Sequence, residues 1–210
     1  GKTSLVDIIT GLVEPTSGDV LINATPFSAS ERLSRRLVGY VPQESCLMDG
    51  TLKENIAYTI DDAPLDSGRV LRAVEMTGLN DLVDVLPDGL DTELGERGTR
   101  LSGGQRQRVA IARALYCDPE ILVFDEATAA LDNESEHLIS RALADLAGRK
   151  TVITIAHRLS TIKNCDRIVF MRAGQIDDIG RFEDLQTRCP PFRKLVKFGD
   201  LSSDDLETPR

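Results

Sequence analysis

What this sequence lacks narrows its reading first. No stretch approaches the roughly 20 consecutive apolar residues that a membrane-spanning helix needs. The run Ile121-Leu122-Val123-Phe124 has the length of a buried strand instead. No basic-then-apolar segment marks a signal peptide, and the chain opens Gly1-Lys2-Thr3 without Met. Basic residues are not in excess: 34 acidic against 25 basic side chains give a formal charge of −9. That sign weighs against nucleic acid as a partner, because phosphate backbones select for clustered Lys and Arg. It leaves room for a small basic pocket that takes a nucleotide. Cys46, Cys117, Cys165 and Cys189 show no pair at metal-ligand or redox spacing. They read as reduced thiols of a cytosolic protein. Internal repeats and low-complexity segments are also missing.

What remains is an ordinary globular chain. Its 210 residues are 41% hydrophobic and 28% charged, enough for a sizeable core in one domain with room for a subdomain. Residues 2–13 place Leu5, Val6, Ile8, Ile9, Leu12 and Val13 at helical spacing. Pro15–Gly18 reads as a turn, Val20–Ile22 as a short strand, and Val38–Pro42 as a strand stopped by its proline. From Ser67 to about Leu86 the pattern is helical and broken at Gly78, without strands, as in a small helical subdomain. Gly95–Arg100 is a charged loop. A helix is expected over Gly103–Tyr116, with Ser102 and Gln105 as an S-x-x-Q capping box at its start. Strands are expected at Ile121–Phe124, Thr151–Ile155, Arg167–Met171 and Ile176–Ile179, with a helix near Glu134–Leu146 and a turn at Gly174. Strands alternating with helices predict an α/β fold with a mostly parallel sheet. The tail beyond Gly199 is polar and acidic.

Four segments carry chemistry. Gly1-Lys2-Thr3-Ser4, at the mouth of an apolar helix, matches the end of a G-x-x-x-x-G-K-[ST] phosphate-binding loop. Helix N-terminal amides favour a polyanion. Lys2 suits the β- and γ-phosphates, and the Thr3 hydroxyl suits Mg²⁺. Four residues alone fit an ordinary helix start equally well. Ile121–Phe124 delivers Asp125 and Glu126 to the carboxyl end of a strand, the edge at which open α/β sheets bind ligands. Asp125 can hold Mg²⁺ and Glu126 can polarise an attacking water; a solvated Asp-Glu turn is the plain alternative. In Leu101-Ser102-Gly103-Gly104-Gln105, two glycines after a Ser N-cap let backbone amides of Gly103, Gly104 and Gln105 approach an anion. A flexible turn that starts a helix would look similar. His157 follows the Thr151–Ile155 strand, where a lone histidine is either polar surface or a hydrogen-bond donor to phosphate. His137 lies in a helical stretch and reads as solvated.

The order of these segments resembles the ABC (ATP-binding cassette) ATPase family over nearly the whole chain. LSGGQ is that family's signature. Gly1-Lys2-Thr3 is similar to the end of its Walker A motif, Gln43 in Val41-Pro42-Gln43 to its Q-loop glutamine, and Asp125-Glu126 to its Walker B pair. Asp132, in Ala127-Thr128-Ala129-Ala130-Leu131-Asp132, is similar to its D-loop aspartate, and His157 to its switch histidine. Gly95-Glu96-Arg97-Gly98 and Gly50–Ile56 resemble the exporters of the family, in which the first loop touches the membrane domain.

The resemblance implies a P-loop NTPase with a small helical subdomain over about 50–117, an ATPase domain over 1–199 and a polar tail over 200–210. It implies ATP and Mg²⁺ as ligands, with Thr3, Gln43 and Asp125 at the metal and Glu126, Gln43 and His157 catalytic. Gly1, Lys2, Thr3, Ser4, Ser102, Gly103, Gly104, Gln105 and Asp132 would bind nucleotide. It also implies a second cassette as partner, in a homodimer or heterodimer with ATP at the interface. A transmembrane domain of the same polypeptide would place the cassette at the cytoplasmic face of a plasma or inner membrane. The phosphate loop and its first strands would lie partly upstream of Gly1, so that the 210 residues alone bind ATP poorly. Three other readings compete. An importer's separate ATPase subunit is disfavoured by Gly95–Gly98. An ABC ATPase acting on DNA would carry a coiled-coil insert or zinc-binding cysteines. A cassette that binds ATP only structurally would not need both Glu126 and His157.

Overall fold

The structure is a computed structural model that describes residues 1–28, 31, 37–58, 64–127, 131, 133–146, 148–155 and 159–198. It divides into two units, Ile8–Thr154 and Gly1–Asp7 with Ile155 onward. The expected D-loop Asp132 and switch His157, and the 200–210 tail, lie outside the described residues.

In the larger unit, β1 (Leu21–Ile22) and β2 (Thr25–Pro26) form a small antiparallel hairpin. Strands β3 (Val38–Val41), β4 (Ile121–Asp125) and β5 (Thr151–Ile155) form a sheet in the order β3-β4-β5. The β3–β4 pair is parallel, with Val41 opposite Phe124. As expected, β3 stops before Pro42, which has no amide hydrogen for the ladder. Valine, leucine and phenylalanine on β4 are fully or almost fully buried, as both-face burial of a central parallel strand demands.

Helices Leu52–Ile56, Ser67–Met76, Asn80–Val85 and Gly103–Tyr116 build the rest of this unit, and Asn133–Leu146 lies beyond β4. The break expected at Gly78 is real: its φ of +61° suits glycine, and a Cβ there would lie 3.0 Å from Leu138 Cδ1. Two apolar clusters meet along one helix. Val109, Ala112 and Tyr116 of Gly103–Tyr116 pack with Leu52, Ile56 and Val74. Ala110, Ile111 and Ala114 of the same helix pack with Val41, Leu122 and Phe124. Full burial of a side chain of this size stabilises by roughly 1.5–3 kcal/mol, so the helix is held from two sides.

The short helix Leu52–Ile56 is a segment that periodicity did not flag. Thr51 and Glu54 form a capping box at its start, and the bonds from Thr51 lower the Glu54 carboxyl below its ordinary range. Asn55, 1% exposed, is its anchor. Its amide nitrogen donates to the Met48 and Thr51 carbonyls at 3.0 Å each. Its oxygen accepts from Met48 N at 2.9 Å and from an Arg113 Nη at 3.0 Å. Arg113 also donates to the Asn55 and Cys46 carbonyls and lies 5.6 Å from the Tyr58 ring centroid. Burial pushes its guanidinium pKa down from the usual arginine value.

The smaller unit holds the beginning of helix Lys2–Thr10, helix Leu159–Lys163, the antiparallel hairpin of β6 (Ile168–Arg172) and β7 (Gln175–Gly180), and helices Phe182–Arg188 and Pro190–Phe198. Helix Lys2–Thr10 is three residues shorter than its apolar pattern, because Gly11 turns left-handed at φ +84° and leaves Leu12 and Val13 exposed. The β6–β7 turn has Ala173 and Gly174 both at positive φ, as a two-residue hairpin turn requires. Phe192 stacks edge-on against Phe170 and Phe182 at 5.7 and 5.6 Å between centroids. The last two helices were not apparent from the sequence.

Replacing Asn55 by alanine removes the side-chain partner of the Met48 carbonyl and amide and of one Arg113 donor, while Thr51 keeps its backbone bond from residue 55. The expected loss is about 2–4 kcal/mol of unfolding free energy. Urea titration followed by circular dichroism measures it; an unchanged midpoint would remove Asn55 from its anchoring role.

Candidate nucleotide site

The parallel pairing of β3 and β4 brings their carboxyl ends side by side, and the candidate residues hang from those ends. Gln43 lies two residues beyond Val41, and Glu126 one beyond Asp125. The Gln43 Nε2 donates to Glu126 Oε2 at 3.1 Å. Asp125, 9% exposed, accepts from the Tyr40 hydroxyl at 3.4 Å. The structure therefore joins two of the expected catalytic residues directly. Tyr40 was not foreseen, since only the β3–β4 register brings it near Asp125.

Glu126 has a left-handed backbone, with φ of +49°. A non-glycine residue held there stores strain, and such positions concentrate at functional sites. The strand's buried run fixes Asp125, and the tight turn that follows swings the Glu126 carboxylate to the Gln43 side chain.

The Leu101–Gln105 segment folds as its residue types dictate. The capping box forms: Ser102 Oγ accepts from Gln105 N at 3.2 Å, and Gln105 Oε1 accepts from Ser102 N at 2.8 Å. This corrects one expectation, because the Gln105 amide is engaged by Ser102 within the chain. The amides of Gly103 and Gly104 open the helix, where no carbonyl one turn earlier exists within it. A Cβ on Gly103 would meet nothing within 4 Å, and its φ does not lie in the left-handed region. Among the described residues, packing gives no reason for glycine there. A helix start stripped of side chains beside open space fits a phosphate group.

Gly1–Ser4 lies in the other unit and opens helix Lys2–Thr10, with the Gly1 carbonyl accepting from Leu5 N at 3.1 Å. Gly1, Thr3 and Ser4 are exposed and Lys2 is half-buried. In the larger unit the donor chemistry fits Mg²⁺, since a carboxylate on Asp125 and an amide oxygen on Gln43 are hard oxygen ligands; the Thr3 hydroxyl of the other unit is a donor of the same kind. In the loop resembling the exporters, Glu96 and Arg97 are both exposed, and Arg97 N donates to Asp49 Oδ1 at 3.2 Å. Gly98 there has a packing reason: its φ is +68° and a Cβ would lie 2.6 Å from Leu47 Cδ1. His137 is exposed.

If Glu126 is strained, Glu126→Gly relaxes it. The expected result is a folded protein whose unfolding free energy is unchanged or raised by up to about 1 kcal/mol, despite the lost Gln43 bond. Differential scanning calorimetry is the measurement, and a marked drop in melting temperature would refute the strain.

The ABC transporter family model matches residues 1–129. The chain is 47% identical over 190 residues to the ATP-dependent lipid A-core flippase of Ralstonia nicotianae, covering 90% of this chain and 32% of that protein. It is 40% identical over 197 residues to the multidrug resistance ABC transporter ATP-binding and permease protein of Lactococcus lactis subsp. cremoris, covering 93% and 33%. A solved bacterial Atm1-family ABC exporter with ATP bound superposes with a TM-score of 0.86 at 37% identity, over 94% of this chain and 35% of that one. The chain thus spans about a third of the length of the relatives it matches. Among the described residues, no helix is long and apolar enough to cross a membrane. With more than half its length under the family model, and with a fold shared with an ATP-bound exporter, the chain belongs to the ABC transporter family and has the α/β P-loop fold of its ATPases.

Proposed function

We propose that this chain binds and hydrolyses ATP to power export of a solute through a transmembrane domain of the same polypeptide, at the cytoplasmic face of a membrane. The observation that carries the reading is the pair of parallel strand ends, with Gln43 hydrogen-bonded to a strained Glu126 beside buried Asp125. In this reading Glu126 is the general base that orients and polarises the attacking water. Gln43 steadies it, and its carbonyl end, turned from Glu126, is the oxygen suited to the metal. Asp125 and Thr3 complete the Mg²⁺ ligands, and Tyr40 holds Asp125 in place. When bound, Mg²⁺ neutralises charge that builds up on the phosphates. Lys2, with the Gly1, Thr3 and Ser4 backbone, takes the β- and γ-phosphates. His157 is assigned a hydrogen bond to the γ-phosphate, and Asp132 a part in binding the nucleotide.

Ser102, Gly103, Gly104 and Gln105 serve the nucleotide held by a second cassette. The open space at Gly103 supports this, because no described residue fills it. Residues 1–199 then act as one ATPase domain, 50–117 as its helical subdomain and 200–210 as a tail. Relatives named as a flippase, a multidrug resistance protein and an exporter support export as the direction of transport.

In the full-length transporter, Glu126→Gln is expected to lower turnover by at least about a hundredfold while ATP still binds. Phosphate release and equilibrium nucleotide binding read the two effects, and near-normal turnover would take Glu126 out of its role. The shared site has its own test. A pair with Lys2→Ala in one copy and Gly104→Asp in the other keeps one composite site whole. A pair with both changes in one copy damages both sites. Equal nucleotide binding by the two arrangements would contradict sharing.

A further inference from the structure

We propose that Gln107 is a positioning residue for ATP hydrolysis: it fixes the loop that bears Gln43, and through Gln43 it sets Glu126. The inference rests on the reading of Glu126 as the base. Gln107 lies in the first half of helix Gly103–Tyr116, whose N-terminus is the LSGGQ segment, and is 3% exposed. Its Nε2 donates to the Pro42 carbonyl at 3.3 Å, and its Oε1 accepts from Ser45 Oγ at 2.6 Å. Pro42 and Ser45 flank Gln43, which is itself exposed and donates to Glu126 at 3.1 Å. A continuous set of bonds therefore runs from the helix to the candidate base.

Burying the Gln107 primary amide is unfavourable unless its polar atoms find partners. A methionine would fill similar volume without that requirement. Gln107 finds its partners in the loop rather than in its own helix, and at the point where the loop needs them. The β3 ladder ends at Val41, and Pro42 has no amide hydrogen with which to extend it. Side-chain bonds take over from backbone pairing at that residue. Six residues on, Arg113 donates to the Cys46 carbonyl at 3.0 Å, so the same helix grips the loop again just beyond Ser45. Gln43 is thus an exposed side chain on a backbone tied on both sides, which is how a short amide can be aimed at a carboxylate.

The test measures ATP turnover of the full-length transporter carrying Gln107→Met, Ser45→Ala, Gln43→Ala and the Gln43→Ala/Gln107→Met double substitution, with Glu126→Gln as control. Gln107→Met is expected to lower kcat on the order of tenfold, the scale of a misplaced catalytic group, with KM for ATP changed by less than about twofold. Ser45→Ala, which removes one of the two bonds, is expected to give a smaller fall of the same kind. In the Gln43→Ala background, Gln107→Met is expected to cause no further loss, because both act through one side chain. Losses that multiply in the double substitution would overturn the proposal, as would wild-type kcat in folded Gln107→Met and Ser45→Ala. If Gln107→Met does not fold, Ser45→Ala with and without Gln43→Ala decides by the same criteria. Retained turnover in Glu126→Gln would sink the base reading and this inference with it. An inactive Glu126→Gln beside wild-type-like Gln107→Met and Ser45→Ala would sink the inference alone.

Discussion

The larger unit depends on one helix being buried on two sides. Gly103–Tyr116 gives Val109, Ala112 and Tyr116 to the helical cluster and Ala110, Ile111 and Ala114 to the cluster on the sheet. Its interior is rich in small and branched residues, so it can approach both neighbours closely. A helix held this way has little freedom to slide or rotate, because each displacement opens a gap on one side and a clash on the other. The direction in which its N-terminus points is set by that packing. At that N-terminus stand Ser102, Gly103 and Gly104.

The parallel register supplies the second constraint. Antiparallel neighbours would put the end of β3 beside the beginning of β4. Parallel pairing puts Val41 opposite Phe124, and so places two strand ends together with their following residues. The polar groups near that edge then have short distances to cover. Tyr40 reaches Asp125, Gln43 reaches Glu126, and Gln107 reaches back to the loop from the helix. Tyr40 and Gln107 stand on backbone fixed by the sheet and by the doubly buried helix, and Gln43 stands on a loop that Gln107 and Arg113 tie to that helix. The apolar packing sets the frame, and the hydrogen bonds choose among the few arrangements that the frame leaves.

The parts of this arrangement that are local in sequence were legible there. Ser102 and Gln105 form the capping box that their spacing predicts, Pro42 stops β3, and Gly78 breaks a helix. The Ile121–Phe124 run is a buried strand that delivers Asp125 and Glu126. What escaped depends on tertiary pairing. Tyr40 and Gln107 carry no local signal, since only the β3–β4 register and the packing of the helix bring them to the site. The left-handed turn at Glu126 could not be read either, because no glycine announces it. Helix Leu52–Ile56 was missed although Thr51 and Glu54 carry a capping-box pattern, since its five residues are too few to show periodicity. Helix Lys2–Thr10 was read as longer than it is because Leu12 and Val13 continue its pattern past Gly11.

The residues that the fold itself does not explain are the most informative about function. Glycine is demanded at Gly98 by a positive φ and by Leu47, and at Gly78 by a positive φ and Leu138. Any other residue there would strain the chain, so those glycines say nothing about ligands. Gly103 is different. Its φ is not left-handed, and no described residue lies within 4 Å of where a Cβ would go. Glycine in a helix is less favourable than alanine by up to about 1 kcal/mol, so on stability alone alanine would be the better choice. The same contrast separates Glu126 from Asp125: the buried strand accounts for Asp125, whereas the left-handed Glu126 runs against its own backbone preference. Both anomalies lie at element ends, one at a helix N-terminus and one at a strand C-terminus. Folding alone asks for neither, and the proposed nucleotide chemistry gives each a use.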